Sequence, residues 1–454
     1  MGDTPPEDLS ARRPADRRSV RRRTAVSSLA VGLLLLAASA GGFYTVAFDQ
    51  QARVGQEEVA EASVAPLEGA ISAAQERLEQ VPGDYSTWAQ LGSAYVEQAR
   101  VTADPTYYQK AEGALQQSLT LHPEGNDAAL AGQGALANAR HDFVAGADAA
   151  TRSLAVNPYS ATAWGVLTDA RTQLGDYAGA TQALQRMLEL RPGIASFTRA
   201  SYDAELHGDL ASARSALQQA LDVADGAAEA YCRTYLGALA FSVGDLDEAE
   251  AQFAAGLRST PGEPSLVLGQ ARVRAARGDV EEAVESYQAV VDARPLVENF
   301  VEYGEYLESL GRSAAAEQQY ALVQTVRQLF AANGVNDDLS SALFAADHGD
   351  PGTAVRAAQA EYDRRQNVDS QDALAWGLHS AGRDAEALPL AQQATSIGGR
   401  NALFLYHRAA IEAALGMNEQ ARSTLTEALD TNSYFSPLLA PRASALLTSL
   451  GGRL

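Results

Sequence analysis

The chain has 454 residues, 46% hydrophobic and 20% charged, with 57 acidic against 35 basic side chains and a formal net charge of −22. That length admits two or three ordinary domains or one long array, and so acidic a body argues against a phosphate backbone as partner. The single cysteine, Cys232, excludes an intramolecular disulfide, a CxxC metal site and a lipidated cysteine near the start, and reads as a small core residue.

Residues 1–23 carry seven arginines, from Arg12 to Arg23, against four acids. This stretch is therefore +3, and the remainder of the chain −25. So polar an Arg- and Pro-rich tail reads as disordered. Residues 24–48, through "AVSSLAVGLLLLAASAGGFYTVAF", contain no charge. As a helix they would span about 36 Å, enough for a hydrocarbon core of about 30 Å. The arginines on one flank predict a single-pass signal-anchor, with its N-terminus in the cytoplasm and residues 49–454 outside. Ala38-Ser39-Ala40 also fits a signal-peptidase site, giving the alternative of a secreted soluble body, but the apolar run continues past Ala40 to Phe48. Residues 49–83 follow as a linker and a lead-in helix, "LEGAISAAQERLEQVP".

Alanine is abundant and aromatics are few, which predicts an almost wholly helical body. Glycines recur at 175, 208, 244, 278, 311, 349, 382 and 416, at gaps of 33 to 38 residues. Five residues after each comes an alanine: 180, 213, 249, 283, 316, 354, 387 and 421. A period near 34 predicts stacked helix–turn–helix units. The glycine ends the first helix in a left-handed conformation. The pairs Asp245/Glu248 and Asp279/Glu282 have capping-box spacing at the start of the second helix. The alanine permits close approach of the paired helices, and a proline closes several units, as at Pro123, Pro158, Pro192, Pro261 and Pro295.

These letters resemble the tetratricopeptide repeat (TPR) family. Residues 161–194 hold Trp164, Leu167, Gly175, Ala180, Leu184 and Pro192 at the family spacing, with Thr168 in a usual glycine place. "TWAQLGSAY" supplies Trp88, Leu91, Gly92 and Tyr95, and its second half, with Ala111 and Leu115, comes seven residues late after an insertion around "RVTADPT". Residues 230–263 hold Leu236, Gly237, Ala249, Phe253 and Pro261. Residues 127–160 form a degenerate unit with Gly146 in the alanine place. The resemblance covers about residues 68–436. It implies an all-α, right-handed helix–turn–helix solenoid of about ten units. The chain also looks like uncharacterised membrane-anchored or exported bacterial TPR proteins.

The gap of 38 after Gly311 predicts a second helix lengthened by about a turn, and with it a division into arrays at 84–333 and 334–436. Residues 437–454 read as a capping helix. Pro441 lies in its first turn, Leu446, Leu447 and Leu450 cover the last repeat, and Gly451 ends it.

No spelling of a nucleophile elbow, zincin helix or phosphate loop occurs, so neither catalysis nor a cofactor or metal is expected. A site near Trp376, His379 and His407 is the enzymatic alternative. The resemblance implies binding instead, along the groove formed by the first helices. Its family positions fall on Asn138, Asp169, Tyr202, Glu205, Tyr231, Arg272, Glu305, Glu308, Trp376, His379 and Tyr406. None is lysine, so the family's clamp for a terminal carboxylate is absent. The mixed, acidic and aromatic set suits an extended or helical protein segment with basic and apolar side chains. Trp376, His379 and Tyr406 are expected to share an exposed patch that anchors a partner. The expected function is a non-catalytic, membrane-anchored scaffold outside the cytoplasmic membrane. The alternative is an exported accessory or chaperone-like subunit of an enzyme or transport complex.

Overall fold

The periodic glycines and alanines produce twenty-two helices and no strand among the described residues. The computed structural model describes the backbone over residues 57–452, with side chains from Leu67 onward, besides the isolated Met1. The N-terminal tail and the anchor expected over 24–48 lie outside the described residues. Within them, no helix is long and apolar enough to cross a membrane.

A lead-in helix α1 (Glu57–Gln80) precedes ten antiparallel pairs. These are α2 (Tyr85–Thr102) with α3 (Tyr107–Leu121), α4 (Asp127–Ala139) with α5 (Phe143–Val156), and α6 (Ala161–Leu174) with α7 (Tyr177–Leu190). There follow α8 (Ile194–Leu206) with α9 (Leu210–Asp222), α10 (Gly226–Ser242) with α11 (Leu246–Ser259), and α12 (Pro264–Arg277) with α13 (Val280–Ala293). Then come α14 (Val297–Ser309) with α15 (Ser313–Ala332), α16 (Asp338–His348) with α17 (Pro351–Arg364), α18 (Val368–Ser380) with α19 (Asp384–Ala394), and α20 (Ala402–Ala414) with α21 (Asn418–Thr431). A closing helix, α22 (Leu439–Ser449), buries Ala443 and Leu447 against the last pair.

The letters of the repeat have the expected mechanics. All eight alanines after the turn glycines are buried, none more than 2% exposed. Asp142, Asp176, Asp209 and Asp245 each cap the second helix of their pair by accepting a backbone N–H three residues on. Asp279 has the same spacing but makes no such bond. Two prolines that precede a first helix have a tryptophan partner: Trp88 Nε1 donates to the Pro82 carbonyl and Trp164 Nε1 to the Pro158 carbonyl, each at 2.9 Å. Gly349 departs from the expected left-handed turn, with φ −133°. Pro351 begins α17 there and restricts Asp350 to extended backbone, so the chain turns differently.

The array closes on itself. The turn between α4 and α5 meets the loop before α16: the Asn336 N–H donates to the Arg140 carbonyl at 3.2 Å, and His141 Nδ1 lies 2.7 Å from the Asn336 carbonyl. The next turn, between α6 and α7, meets the loop before α18, where the Val368 N–H donates to the Tyr177 hydroxyl at 2.9 Å. Between α8 and α9 the same happens one repeat later, with the Gly399 N–H on the Leu206 carbonyl at 2.9 Å. The last such contact is Asn432 Nδ2 to the Phe241 carbonyl, also 2.9 Å. Partners stand 191 to 195 residues apart at the side-chain contacts of this seam. Against a period near 34, one superhelical turn takes somewhat under six repeats. Val368, Ala394 and Phe404 form an apolar strip along the seam with Tyr177, Leu206 and Ile397. The lengthened α15 contributes as well: Phe330 and the following Val335 pack into the core of the first repeats.

Candidate functional site

Curling the first helices inward and sealing the seam turns the concave groove into an axial cavity of about 490 Å³, lined by residues from all ten first helices. Among the described residues its wall holds eleven carboxylates against four guanidinium groups, so the chamber is acidic. Tyr202, Tyr231, Tyr235 and Tyr287 interleave with them. Beside the cavity, at the seam, lies a smaller chamber of about 70 Å³ that shares Tyr202, Glu205, Asp369, Phe404 and Phe435 with it.

Six of the eleven residues expected in the groove line this cavity: Asp169, Tyr202, Glu205, Tyr231, Arg272 and Glu305. Several are held by their neighbours. Arg199 grips Asp169 in a fork, Nε to Oδ1 at 2.7 Å and Nη2 to Oδ2 at 2.6 Å. Arg272 forks onto Glu302 at 2.7 and 2.5 Å, and the Tyr287 hydroxyl donates to the same carboxylate at 2.9 Å. Glu305 lies 3.1 Å from His348 Nε2, and the Tyr231 ring packs on Tyr235 with centroids 4.7 Å apart. The two fork pairs each join successive first helices and brace the wall from inside.

The other five stand elsewhere. Asn138 is buried against Gly146 and donates to the Val166 carbonyl at 3.0 Å. That contact explains the glycine in the alanine place, since a Cβ there would collide with the Asn138 amide. Glu308 accepts from the Tyr320 hydroxyl at 3.1 Å, and His379 hydrogen-bonds Asp384.

The expectation of an exposed Trp376–Tyr406 patch is corrected. Trp376 is 8% and Tyr406 7% exposed, both within the core that joins α16, α18, α20 and α22. Trp376 Nε1 donates to Asp347 at 2.9 Å, and its ring stacks on His407 at 4.0 Å. His407 in turn bonds Asp372 at 2.9 Å and is 1% exposed. Inter-repeat packing uses these large side chains as filling.

Burial dominates the electrostatics of the cavity. Burial alone pushes the Glu205 carboxyl up to about 7. It pushes Asp369 up to about 7 as well, with nearby Asp372 and Glu361 adding to it and Arg365 opposing. Tyr202, between them, is raised well above its ordinary range by burial and then by the charges of Asp369 and Glu205. Among the described residues, no side chain hydrogen-bonds or ion-pairs with the carboxyl of Glu205 or Asp369. Arg365 instead bonds Glu361 and Gln173, and its guanidinium lies 5.0 Å from the Phe143 ring centroid. Asp369 was not among the residues expected from sequence. As an acid in the first turn of a helix it looks like ordinary dipole complementation, and only the seam reveals its burial.

Asp369 therefore has a stability signature. A carboxyl raised in the folded state above its unfolded value of about 3.9 favours folding fully below pH 4 and loses that advantage as pH rises through about 7. Asp369→Asn removes the loss. The variant should match the parent near pH 4 and exceed it by roughly 2–4 kcal/mol at pH 8, measured by denaturant titration at the two pH values. Equal stability at pH 8 would show that the carboxylate is solvated.

Residues 200–264, 236–298 and 268–327 match the Tetratricopeptide repeat family, which supports placing the chain in the tetratricopeptide-repeat superfamily. Similar solved structures include a tetratricopeptide repeat protein from Parabacteroides merdae, at 18% identity over 57% of this chain and 99% of that one, with a TM-score of 0.33. The human IFIT1 dimer with PPP-AAAA is similar at 13% identity over 82% of this chain and 89% of that one, TM-score 0.43. Yeast Tom70 is similar at 11% identity over 87% and 94%, TM-score 0.33. No curated protein matches the chain in sequence.

Proposed function

We propose that this protein is a non-catalytic scaffold, held in the cytoplasmic membrane by residues 24–48, whose solenoid lies on the extracytoplasmic side and grips a segment of another protein in its axial cavity. The observation that carries this is the cavity itself: about 490 Å³, walled by first helices, acidic and rich in tyrosine. Repeat arrays of this fold bind protein or peptide segments, and here the wall chemistry suits basic and aromatic side chains. Its charge opposes a phosphate backbone, so nucleic acid is not a proposed partner. Alternation of seven arginines and an uncharged stretch supports the orientation.

The test is site-specific photo-crosslinking in living cells with the full-length chain. A photoreactive residue at Tyr231, in the cavity wall, should yield discrete protein adducts, while one at exposed Glu285 on α13 should not. Adducts from Glu285 alone would put the binding surface on the outer face. The A-x-A spelling at Ala38-Ser39-Ala40 favours a second reading, a soluble exported accessory subunit. The intact mass of the mature protein separates the two.

A further inference from the structure

The geometry points to the seam chamber as a binding site for an aliphatic ammonium group, with Glu205, Asp369, Tyr202, Phe404 and Phe435 in its wall. This deepens the cavity reading, on which it rests, by naming the chemistry that the cavity recognises.

Three features of the chamber agree. First, Asp369 is 5% exposed, lines both the chamber and the axial cavity, and among the described residues no other side chain hydrogen-bonds or ion-pairs with its carboxyl. Glu205, half-buried on the opposite lip, lines the same two spaces, likewise without a side-chain partner among the described residues. A buried carboxylate is costly unless a cation or donor meets it. Elsewhere in the cavity that requirement is met internally, by Arg199 on Asp169 and by Arg272 on Glu302. Among the described residues, the two carboxylates at the seam have no such guanidinium fork.

Second, aromatic side chains share the chamber wall with the acids. Phe404 is 7% and Phe435 5% exposed, and Tyr202 lines the chamber with them, near enough to both acids to feel their charge. Aromatic faces attract an alkylammonium and receive its methylenes. A bare metal ion would want six or more oxygens, and among the described residues no three His, Cys, Asp or Glu side chains are gathered for one. Third, the size is right: about 70 Å³ has room for roughly five water-sized groups, the end of an alkylamine rather than a whole peptide. Arg400, at the chamber's rim, is no competitor, because its guanidinium is mostly exposed and lies 3.7 Å from Glu427.

The same ammonium can belong to a lysine in a bound segment or to a free amine, and the experiment separates them. Calorimetric titration of the full-length chain uses three probes: 1,4-diaminobutane, a blocked pentapeptide with a central lysine flanked by alanines, and the same peptide with norleucine. The lysine peptide should bind at least ten-fold more tightly than the norleucine peptide. Binding should fall at least ten-fold in the combined Glu205→Gln, Asp369→Asn variant and stay unchanged in Glu285→Gln, an exposed control. Helix content and melting report that the variant is folded.

If the diamine binds and the lysine peptide does not, the ammonium site stands and the cavity's occupant is a small amine, which removes the protein-segment reading alone. If neither amine binds, or if the amide variant binds both as the parent does, the chamber is not an ammonium site. Crosslinking from Tyr231 then still decides the cavity reading by itself.

Discussion

Gly208→Ala is expected to destabilise the protein by about 2–4 kcal/mol, while Gly278→Ala at the equivalent place in another repeat costs only about 1 kcal/mol. Both glycines end a first helix with nearly the same positive φ, 79° and 85°. For either, a Cβ adds the strain of a left-handed conformation. They differ in what the Cβ would meet. At Gly278 nothing lies within 4 Å. At Gly208 the Cβ would come 3.0 Å from the Gly398 carbonyl carbon and closer still to its oxygen. That obstacle is backbone, pinned by the Gly399 to Leu206 hydrogen bond, and Gly398 and Gly399 are equally tight from the other side, with Cβ positions 2.7 and 2.8 Å from the carbonyl oxygens of His207 and Leu206. The seam must therefore part before the methyl fits. Denaturant titration of the two variants reads the difference directly, and equal losses would mean that the lips do not touch in solution.

Trp376→Ala should cost about 3–5 kcal/mol, the range for emptying a large aromatic from a core. The indole fills the space between Asp347 and His407, and the change leaves Asp347 buried without its donor. Because each repeat rests on its neighbours, the loss should spread into α16, α20 and α22 rather than stay local. Trp376→Phe preserves ring stacking but not the N–H, and should fall between the two. Thermal melting followed by circular dichroism suffices. A Trp376→Ala protein that melts like the parent would return the residue to the surface.

The repeat was legible because its letters answer local needs. Glycine after Leu174 or Arg277, aspartate at the start of the second helix and alanine in the helix–helix contact each follow from one turn of backbone. The closure was not. It follows from small rotations between successive pairs, summed over somewhat under six repeats, and no single residue spells that sum. The consequence is clear in the expected groove. Asp169, Tyr202 and Glu205 do face the concave side, yet a closed ring makes that side an interior, so they need partners that an open groove would not demand. Asp369 shows the converse. Its neighbour across the seam, Tyr202, lies far off in sequence, and nothing near Asp369 hints at it. For Trp376 the family position was right and the environment was not, since packing and binding both favour large aromatics there.

Closure of the ring can be read from three amides without altering the protein. Those of Asn336, Val368 and Gly399 lie before or at the starts of α16, α18 and α20, where no carbonyl of their own helix can accept them. In the closed ring they donate across the seam, to the Arg140 carbonyl, the Tyr177 hydroxyl and the Leu206 carbonyl. Native-state hydrogen exchange resolved to single amides should find all three protected, with opening free energies like those of the helices they precede. Exchange of all three at the rate of an unstructured chain would contradict closure, and with it the enclosed cavity and the ammonium chamber at its edge.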